Sequence, residues 1–430
     1  MEPEEAALSV VRRLREAGHQ SLYAGGCVRD RLLGRAPSDY DVATDAHPEQ
    51  VRALFRRTLS VGEQFGIVIV RLGGQQVEVA TFRAEGEYSD GRRPDQVHYA
   101  DDAETDAQRR DFTVNGLFFD PLAGTVLDHI GGLPDLVAGR VRAIGCPHER
   151  FTEDRLRILR APRFAAQLGF DIEPETAAAA RQQAEEIRTS KVSPERIRVE
   201  LAKLLRSPGR ARGWRWCREL ELLPIVLPAA VPDAVRVEHA LLDLPPRPFG
   251  EDELPVLWAI ALHGTVMHGG GAGAGPRQAE EALRALRCSN KEVAGAAALL
   301  VALSEARRFG ELGLAAQKRL LREVDTDALL TLLRATSLAG DGDLEPLRLL
   351  AARRRAFRDE PPPTGSASPP LIGGNDLRAG GIPPGKVYGR ILPRIEDAQL
   401  EGRVLTREDA LALARELAAV ESARDSARGS

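Results

Sequence analysis

Long apolar runs are missing from this 430-residue chain. No stretch reaches the roughly 20 residues that a membrane-spanning helix needs. The amino-terminal MEPEEAALSVVRRLREAG is acidic and then amphipathic, without the charged-then-apolar order of a secretory leader. Both absences set the expectation of a soluble, cytoplasmic protein. Cysteine is scarce: Cys27, Cys146, Cys217 and Cys288 lie far apart with no C-x-x-C spacing. That argues against a structural zinc site and against a disulfide framework, and for reduced, buried thiols. An excess of one charge is also lacking, since 59 Lys plus Arg stand against 63 Asp plus Glu for a formal net charge of -4. The average surface therefore does not advertise nucleic acid, and any such face must be local. No internal repeat is visible.

The length suggests two to four compact units at about 150 residues each. From about residue 5 to 145, helical patterns alternate with short apolar segments that read as strands: SLYAGG, YDVAT, GIVIVRLGG, VEVATFR, FTVNGLFFD and RVRAIG. After Cys146 the strand patterns stop and helical periodicity takes over, beginning with TEDRLRILRAPRFAAQLGF and continuing through PERIRVELAKLLRS. The expected class is α+β, a mixed-sheet amino-terminal part followed by an all-helical remainder. Joints or loops are expected at residues 206–213, 268–276 and 358–370, where Pro, Gly and Ser displace the apolar period.

Within SLYAGGCVRDRLLG, Ser21 to Ala24 reads as a strand, Gly25 and Gly26 as a turn, and Val28, Leu32 and Leu33 as the buried stripe of a helix ended by Gly34. Unpaired N–H groups at such a helix start favour an anion, and Arg29 can add a full charge. Taken alone, this is also the pattern of a commonplace turn with a solvated arginine. In SDYDVAT, Asp39 and Asp41 stand two apart on an expected strand and so share a face. Two converging carboxylates repel unless a cation lies between them, and hard oxygen ligands without histidine favour Mg²⁺. The bland alternative is a polar loop in which the aspartates cap turns. Glu78, among the apolar residues of VEVATFR, is either a third acid at the same place or a solvated rim residue. Residues 85–100 are rich in Gly, Asp and Arg and read as a mobile loop. Arg109 and Arg110 then form the kind of pair a triphosphate requires, though paired arginines are usually solvated.

Taken in order, GGCVRDRLLG, SDYD, RRDFTVNGL, EDRLRILRAPRFAAQLGF and SPERIRVEL closely resemble the polymerase β-type nucleotidyltransferases of the bacterial and eukaryotic class, the tRNA CCA-adding enzymes and their poly(A) polymerase relatives. The resemblance covers residues 20 to about 205 and returns weakly in LIGGNDLRAGGIPPGKVYGRILPRIEDAQL. It implies a catalytic nucleotidyltransferase head at 1–145, a neck for base selection at 146–205, a helical body at 206–325 and a helical tail at 326–430. It further implies that Gly25 and Gly26 with Arg29 hold the triphosphate, that Arg110, with Arg109 nearby, contacts ribose and phosphate, and that Arg160 and Arg163 are among the nucleotide-binding residues. Asp39 and Asp41 would be the catalytic pair that binds two Mg²⁺, with pyrophosphate as product. Asp111 would brace the site. Asp154 and Arg157 fall on the family's base-selecting positions.

That last assignment has its own chemistry. Cytosine and adenine each place an exocyclic amine beside a ring nitrogen acceptor, so a carboxylate and a guanidinium suit both. Uracil and guanine put a carbonyl against the carboxylate, a mismatch worth about 1 to 4 kcal/mol. Glu153 and Asp154 precede Arg157 by four and three residues, and Arg160 and Arg163 follow it at three-residue steps, so the set is expected on one helical face; on their own they would read as an exposed helix of ion pairs. The segment before VEVATFR lacks the strongly basic run of poly(A) polymerases in this family, and the loop at 85–100, which CC-restricted relatives lack, is retained. The expected activity is template-independent addition of CCA to tRNA 3′ ends from CTP and ATP. The alternatives are an A-adding, CC-adding or poly(A)-adding enzyme and, from a different class, a catalytically silent RNA-binding protein. The partners expected are tRNA and the two nucleotides, not DNA or a membrane. From Lys191 in the neck to Arg218 runs a local basic stretch interleaved with Trp214 and Trp216, which read either as an RNA face with stacking aromatics or as helix surface with two core tryptophans. Arg196 and Lys203 in this stretch, and Lys386 and Arg390 in glycine-rich surroundings, are the expected RNA contacts. Residues 239–264 faintly resemble an HD phosphohydrolase, but Gly264 stands where that pattern needs Asp, so no metal is expected at His239, His263 or His268.

Overall fold

The computed structural model describes residues 1–59, 66–84, 98–190, 192–268, 274–365 and 368–428. The loop expected at 85–100 falls almost wholly outside the described residues, as does Lys191 of the basic neck. Two compact units make up the chain: residues 1–231 with 246–249, and residues 232–245 with 250–430.

The first unit begins with α1 (Pro3–Glu16), where Pro3 starts the helix and Val10, Val11 and Leu14 are buried. A seven-stranded mixed sheet follows, with strands β1 (Ser21–Ala24), β2 (Asp41–Thr44), β3 (Thr58–Leu59), β4 (Ile67–Leu72), β5 (Gln75–Thr81), β6 (Phe118–Asp120) and β7 (Thr125–Leu127). Their order is β3-β4-β5-β2-β1-β6-β7. All neighbours are antiparallel except β2 and β5, whose parallel register sets Asp41 opposite Glu78. Alternation accounts for β5: Val77, Val79 and Thr81 are buried while Gln76 and Glu78 point to the other face. The central strand β1 is buried throughout, as its SLYA sequence requires.

Around the sheet lie α2 (Gly26–Leu32), α3 (Pro48–Leu54), α4 (Ala103–Gln108) and α5 (Gly132–Ala138). FTVNGLFFD, expected as one strand, divides into a short 3-10 turn at Thr113–Asn115 and β6. The helical part of the first unit includes α6 (Pro147–Glu153), α7 (Leu156–Leu168), α8 (Pro174–Gln182), α9 (Glu186–Thr189), α10 (Pro194–Arg206) and α11 (Arg210–Glu219), with two-residue strands β8 (Arg140–Val141) and β9 (Asp171–Ile172) paired in parallel. The expected single helix through EDRLRILR is broken at Asp154, whose backbone is extended (φ −143°, ψ 104°). Its side chain accepts from the backbone N–H of Leu156 at 3.0 Å, a local bond that competes with helix continuation. Both α10 and α11 pack along α7. The approach at Gly213 is so close that a Cβ there would meet Ala166 Cβ at 2.6 Å.

The second unit is helical throughout its described elements, from Ala234–Leu242 to Arg407–Arg428. No described helix is long and apolar enough to cross a membrane. All four thiols are free; Cys27 and Cys217 are buried, Cys288 is half-buried and Cys146 is exposed, so the expectation of uniformly buried thiols holds for only part of the set.

Candidate active site

A cleft of about 770 Å³ in the first unit is lined by residues from α2, β2, the α4–β6 segment, the α6–α7 turn, α7 and α10. Among them are Gly25, Gly26, Arg29, Asp41, Arg110, Asp154, Arg157, Arg160, Arg163 and Lys203, all singled out from sequence. Motifs separated by more than a hundred residues thus share one wall.

The sheet supplies the acidic end. Asp41 opens β2, and Asp39 sits just before the strand rather than on it, exposed, with Ser38 Oγ donating to its Oδ1 at 3.0 Å. Asp41 is pushed up to about 6 by burial first and then by Glu78 and Asp39, while Arg110 pulls the other way. Glu78 is solvent-accessible, yet its carboxyl is also raised, foremost by the poorly solvated walls around it; Arg83 opposes and Asp39 adds to the rise. The three acids therefore share one field, which a cation would relieve. Among the described residues no three His, Cys, Asp or Glu side chains close into a ready-made metal cage. The fit is to a hard divalent cation of the kind that takes one or two carboxylates and completes its shell from water and substrate phosphate.

The expected strand, glycine turn and helix are present, but the buried side of the helix is Cys27, Val28 and Arg29; Leu32, expected in the buried stripe, is exposed and Leu33 only half-buried. Gly25 has φ +71°, which favours glycine, and a Cβ there would come within 2.9 Å of Arg110 Nη1, so a side chain at this position would also displace that guanidinium. Arg29 is 4 % exposed. It reaches the cleft wall, but its Nη1 donates to Asn115 Oδ1 and its Nε and Nη2 hold Asp30. Two residues that sequence reasoning did not single out organise this region. Buried Asp106 clamps Arg109 through Oδ1 and Arg110 through Oδ2, at spacings of three and four along the end of α4. Burial works against its charge, but the two arginines prevail and hold its carboxyl below the ordinary range. Asn115 takes Arg29 on Oδ1, donates from Nδ2 to Asp111 Oδ1 at 3.0 Å, and offers its backbone carbonyl to Arg110 at 3.2 Å. Asp111 accepts from Arg160 Nε at 2.7 Å. Its burial opposes charge, yet Arg160 and Asn115 hold its carboxyl far below the usual carboxylate range.

At the helical end, Arg157 donates from Nη1 to Glu153 Oε2 and to the Arg150 carbonyl, and from Nη2 to the Arg109 carbonyl at 3.0 Å. Arg163 donates to Glu200 and to Gln167 and lies over the Phe164 ring at 3.6 Å. Asp154 accepts from Leu156 N–H on one oxygen and from Arg196 Nη2 at 2.7 Å on the other. The break at Asp154 means that the five charged residues do not form one continuous helical face; Glu153 ends α6, Asp154 sits in the corner, and the arginines run along α7.

The other expected contacts scatter. Lys203 is exposed at the cleft, whereas Arg196 is engaged by Asp154. In the second unit, Lys386 is exposed at the start of the Lys386–Leu400 helix, and Arg390 pairs with Glu421 at 2.8 Å. Trp214 is fully buried core rather than a stacking platform. His263 is buried with Nδ1 at 2.8 Å from the Ile260 carbonyl, His239 is exposed, and the side chain of His268 lies outside the described residues. A Cβ on Gly264 would meet Asp233 Oδ2 at 2.0 Å, so no side chain fits there as the segment is folded.

Comparison with known proteins agrees with this geometry. Residues 22–142 match the family described as "Poly A polymerase head domain", and residues 169–233 match "Probable RNA and SrmB- binding site of polymerase A". The CCA-adding enzyme of Levilactobacillus brevis is 43 % identical over 222 residues, covering 50 % of this chain and 55 % of that protein. The CCA-adding enzyme of Bacillus subtilis is 46 % identical over 205 residues, covering 48 % and 50 %. The matched segment thus spans about half the length of these curated relatives. The crystal structure of the Bacillus stearothermophilus CCA-adding enzyme in complex with CTP matches 99 % of this chain and 100 % of its own, with a TM-score of 0.77 and 28 % identity. The Thermotoga maritima CCA-adding enzyme complexed with tRNA shares the fold, at a TM-score of 0.65 and 18 % identity.

Proposed function

We propose that the chain belongs to the class II CCA-adding and poly(A) polymerase family of nucleotidyltransferases, which its head-domain match and its likeness to CCA-adding enzymes support, and that it adds CCA to tRNA 3′ ends from CTP and ATP without a nucleic-acid template. The observation that carries this reading is the single cleft on which Asp41, the arginine set and the Asp154–Arg157 pair all border. In the transfer, the primer 3′-hydroxyl gives up its proton to solvent as its oxygen bonds to the α-phosphorus of the nucleotide, the bond from that phosphorus to the bridging oxygen breaks, and pyrophosphate leaves. Asp39 and Asp41 would hold the divalent cations, Mg²⁺ in our reading, which when bound make the 3′-hydroxyl a better nucleophile and neutralise the leaving pyrophosphate. The chain's own residues do the rest. Gly25 and Gly26 open the wall to the phosphates. Arg110 and Arg29, aimed by Asp106 and Asn115, neutralise them, and Asp111 fixes Arg160 beside them.

Base choice falls to Asp154 as acceptor for the exocyclic amine and Arg157 as donor to the ring nitrogen. Arg157 Nε and one Nη2 hydrogen stay uncommitted among the described residues, which supports that role. The division into head (1–145), neck (146–205), body (206–325) and tail (326–430), with Lys203, Lys386 and Arg390 toward RNA, belongs to the same proposal, as does action in the cytoplasm.

The test supplies purified protein with Mg²⁺ and labelled CTP or ATP separately, on tRNA ending before the first C, on tRNA ending in CC and on a poly(A) primer. The proposal expects C on the first, A on the second and negligible extension of the third. Incorporation of neither nucleotide would sink it, and incorporation of A alone or C alone would reassign the enzyme to a partial activity.

A further inference from the structure

Asp154 sits in a corner between two helices, where a carboxylate on an otherwise mobile torsion would have a broad, roughly two-fold range of orientations. Two contacts remove that freedom. Leu156 N–H takes Oδ1 at 3.0 Å, and Arg196 Nη2 takes Oδ2 at 2.7 Å. The second contact comes from α10, 42 residues further along the chain. On that helix Arg196, Glu200 and Lys203 follow one another at four- and three-residue spacing, so they share a face. Glu200 holds Arg163, and Lys203 and Arg163 border the cleft. One face of α10 therefore fixes two cleft side chains from behind. Arg196 is itself outside the cleft lining and three-quarters buried, and its other terminal nitrogen, Nη1, is buried with no partner among the described residues.

We propose that Arg196 is a positioning residue for nucleotide choice, which holds the Asp154 carboxylate as an aimed acceptor and keeps a second N–H in reserve on Nη1. The inference rests on the reading of Asp154 as the base-selecting acid. Cytosine and adenine place their amines at different distances from the sugar, so one carboxylate serving both must shift between two settings. A guanidinium with one engaged and one uncommitted nitrogen can follow that shift, because its fork accommodates a carboxylate through one bond or two. Lysine, a point charge with rotating donors, can follow it only in part. Arg196 was expected from sequence to contact RNA; in this arrangement it acts through Asp154.

The experiment measures single-nucleotide kcat/KM for CTP and UTP on tRNA ending before the first C, and for ATP and GTP on tRNA ending in CC. The proteins are wild type, Arg196→Met, Arg196→Lys, Asp154→Asn and the Asp154→Asn/Arg196→Met double variant. Arg196→Met is expected to lower the CTP/UTP and ATP/GTP ratios by about tenfold or more, with tRNA affinity within about twofold of wild type. Arg196→Lys recovers part of both ratios. In the Asp154→Asn background, Arg196→Met adds less than about twofold, because the residue acts through the carboxylate. Ratios unchanged in Arg196→Met overturn the proposal, and if tRNA affinity falls instead, Arg196 is an RNA contact. Should Arg196→Met fail to fold, Arg196→Gln is judged by the same ratios. If the wild type inserts neither C nor A, the reading of function falls and this inference with it; correct insertion by the wild type with unaltered ratios in the variants sinks this inference alone.

Discussion

Asp41 is the residue at which opposing demands meet. Its carboxyl, pushed up to about 6 by burial, Glu78 and Asp39, binds a proton more tightly in the folded protein than in the unfolded chain, where its ordinary value is near 4. Stability drawn from that proton is fully present below about pH 4 and lost as pH rises through about 6. In metal-free protein, Asp41→Asn should therefore raise the melting temperature at pH 7, by an amount equivalent to about 1–3 kcal/mol, and leave it nearly unchanged at pH 4; a melt series across pH checks this. The same sign governs the cation. Below about pH 6 it must displace a proton, so its apparent affinity should fall about tenfold per pH unit there and level off above pH 7, measurable by calorimetry. Asn115 presents a different case, because it is neutral and joins Arg29, Arg110 and Asp111. Asn115→Ala leaves buried partners short of a bond, and is expected to cost about 1–3 kcal/mol and to raise the nucleotide KM more than it lowers kcat. The acids and arginines of the cleft were legible as residue types with matching spacing. Asp106 and Asn115 were not singled out, since they act by aiming arginines and that role exists only once the chain has folded. The three- and four-residue offsets from Asp106 to Arg109 and Arg110 were the one signal available.

At the level of the element, the strand–turn–helix at Ser21–Leu32 could be read from its pattern because a short apolar run and two glycines before a helical segment point to the same local structure, although the helix buries Cys27 and Val28 and leaves Leu32 exposed. Two glycines here separate strain from crowding. Gly25 and Gly34 both have positive φ, but a Cβ at Gly25 would crowd Arg110 Nη1 whereas nothing lies within 4 Å of one at Gly34. Gly34→Ala should cost only the conformational strain, about 1 kcal/mol, without altering nucleotide binding. Gly25→Ala should add displacement of Arg110 and raise the nucleotide KM by about tenfold or more. Equal effects of the two substitutions on KM would show that the turn does not border the phosphates. The corner at Asp154 was hidden for the converse reason. Helical periodicity runs on through the positions either side of it, and a single Asp side chain bonding to Leu156 N–H decides the break against that pattern.

Across the whole molecule, the sequence carries a slight negative net charge, yet the cleft lining holds more arginines and lysines than acids. Most of those arginines are already engaged: Arg109 and Arg110 by Asp106, Arg160 by Asp111, Arg163 by Glu200. Lys203 differs, being exposed, on the cleft, and without an acid partner among the described residues. A charge of that kind is suited to a phosphate of the RNA 3′ strand, which is bound largely through release of counterions. tRNA affinity should consequently fall steeply with salt. Lys203→Ala should reduce the slope of log affinity against log salt by about 0.7 to 1 and weaken all tRNA substrates alike. The CTP/UTP and ATP/GTP ratios should stay near wild type, because the lysine does not touch Asp154. Filter binding at a series of salt concentrations checks the slope. An unchanged slope would remove Lys203 from the RNA path, and altered ratios would place it on the nucleotide instead.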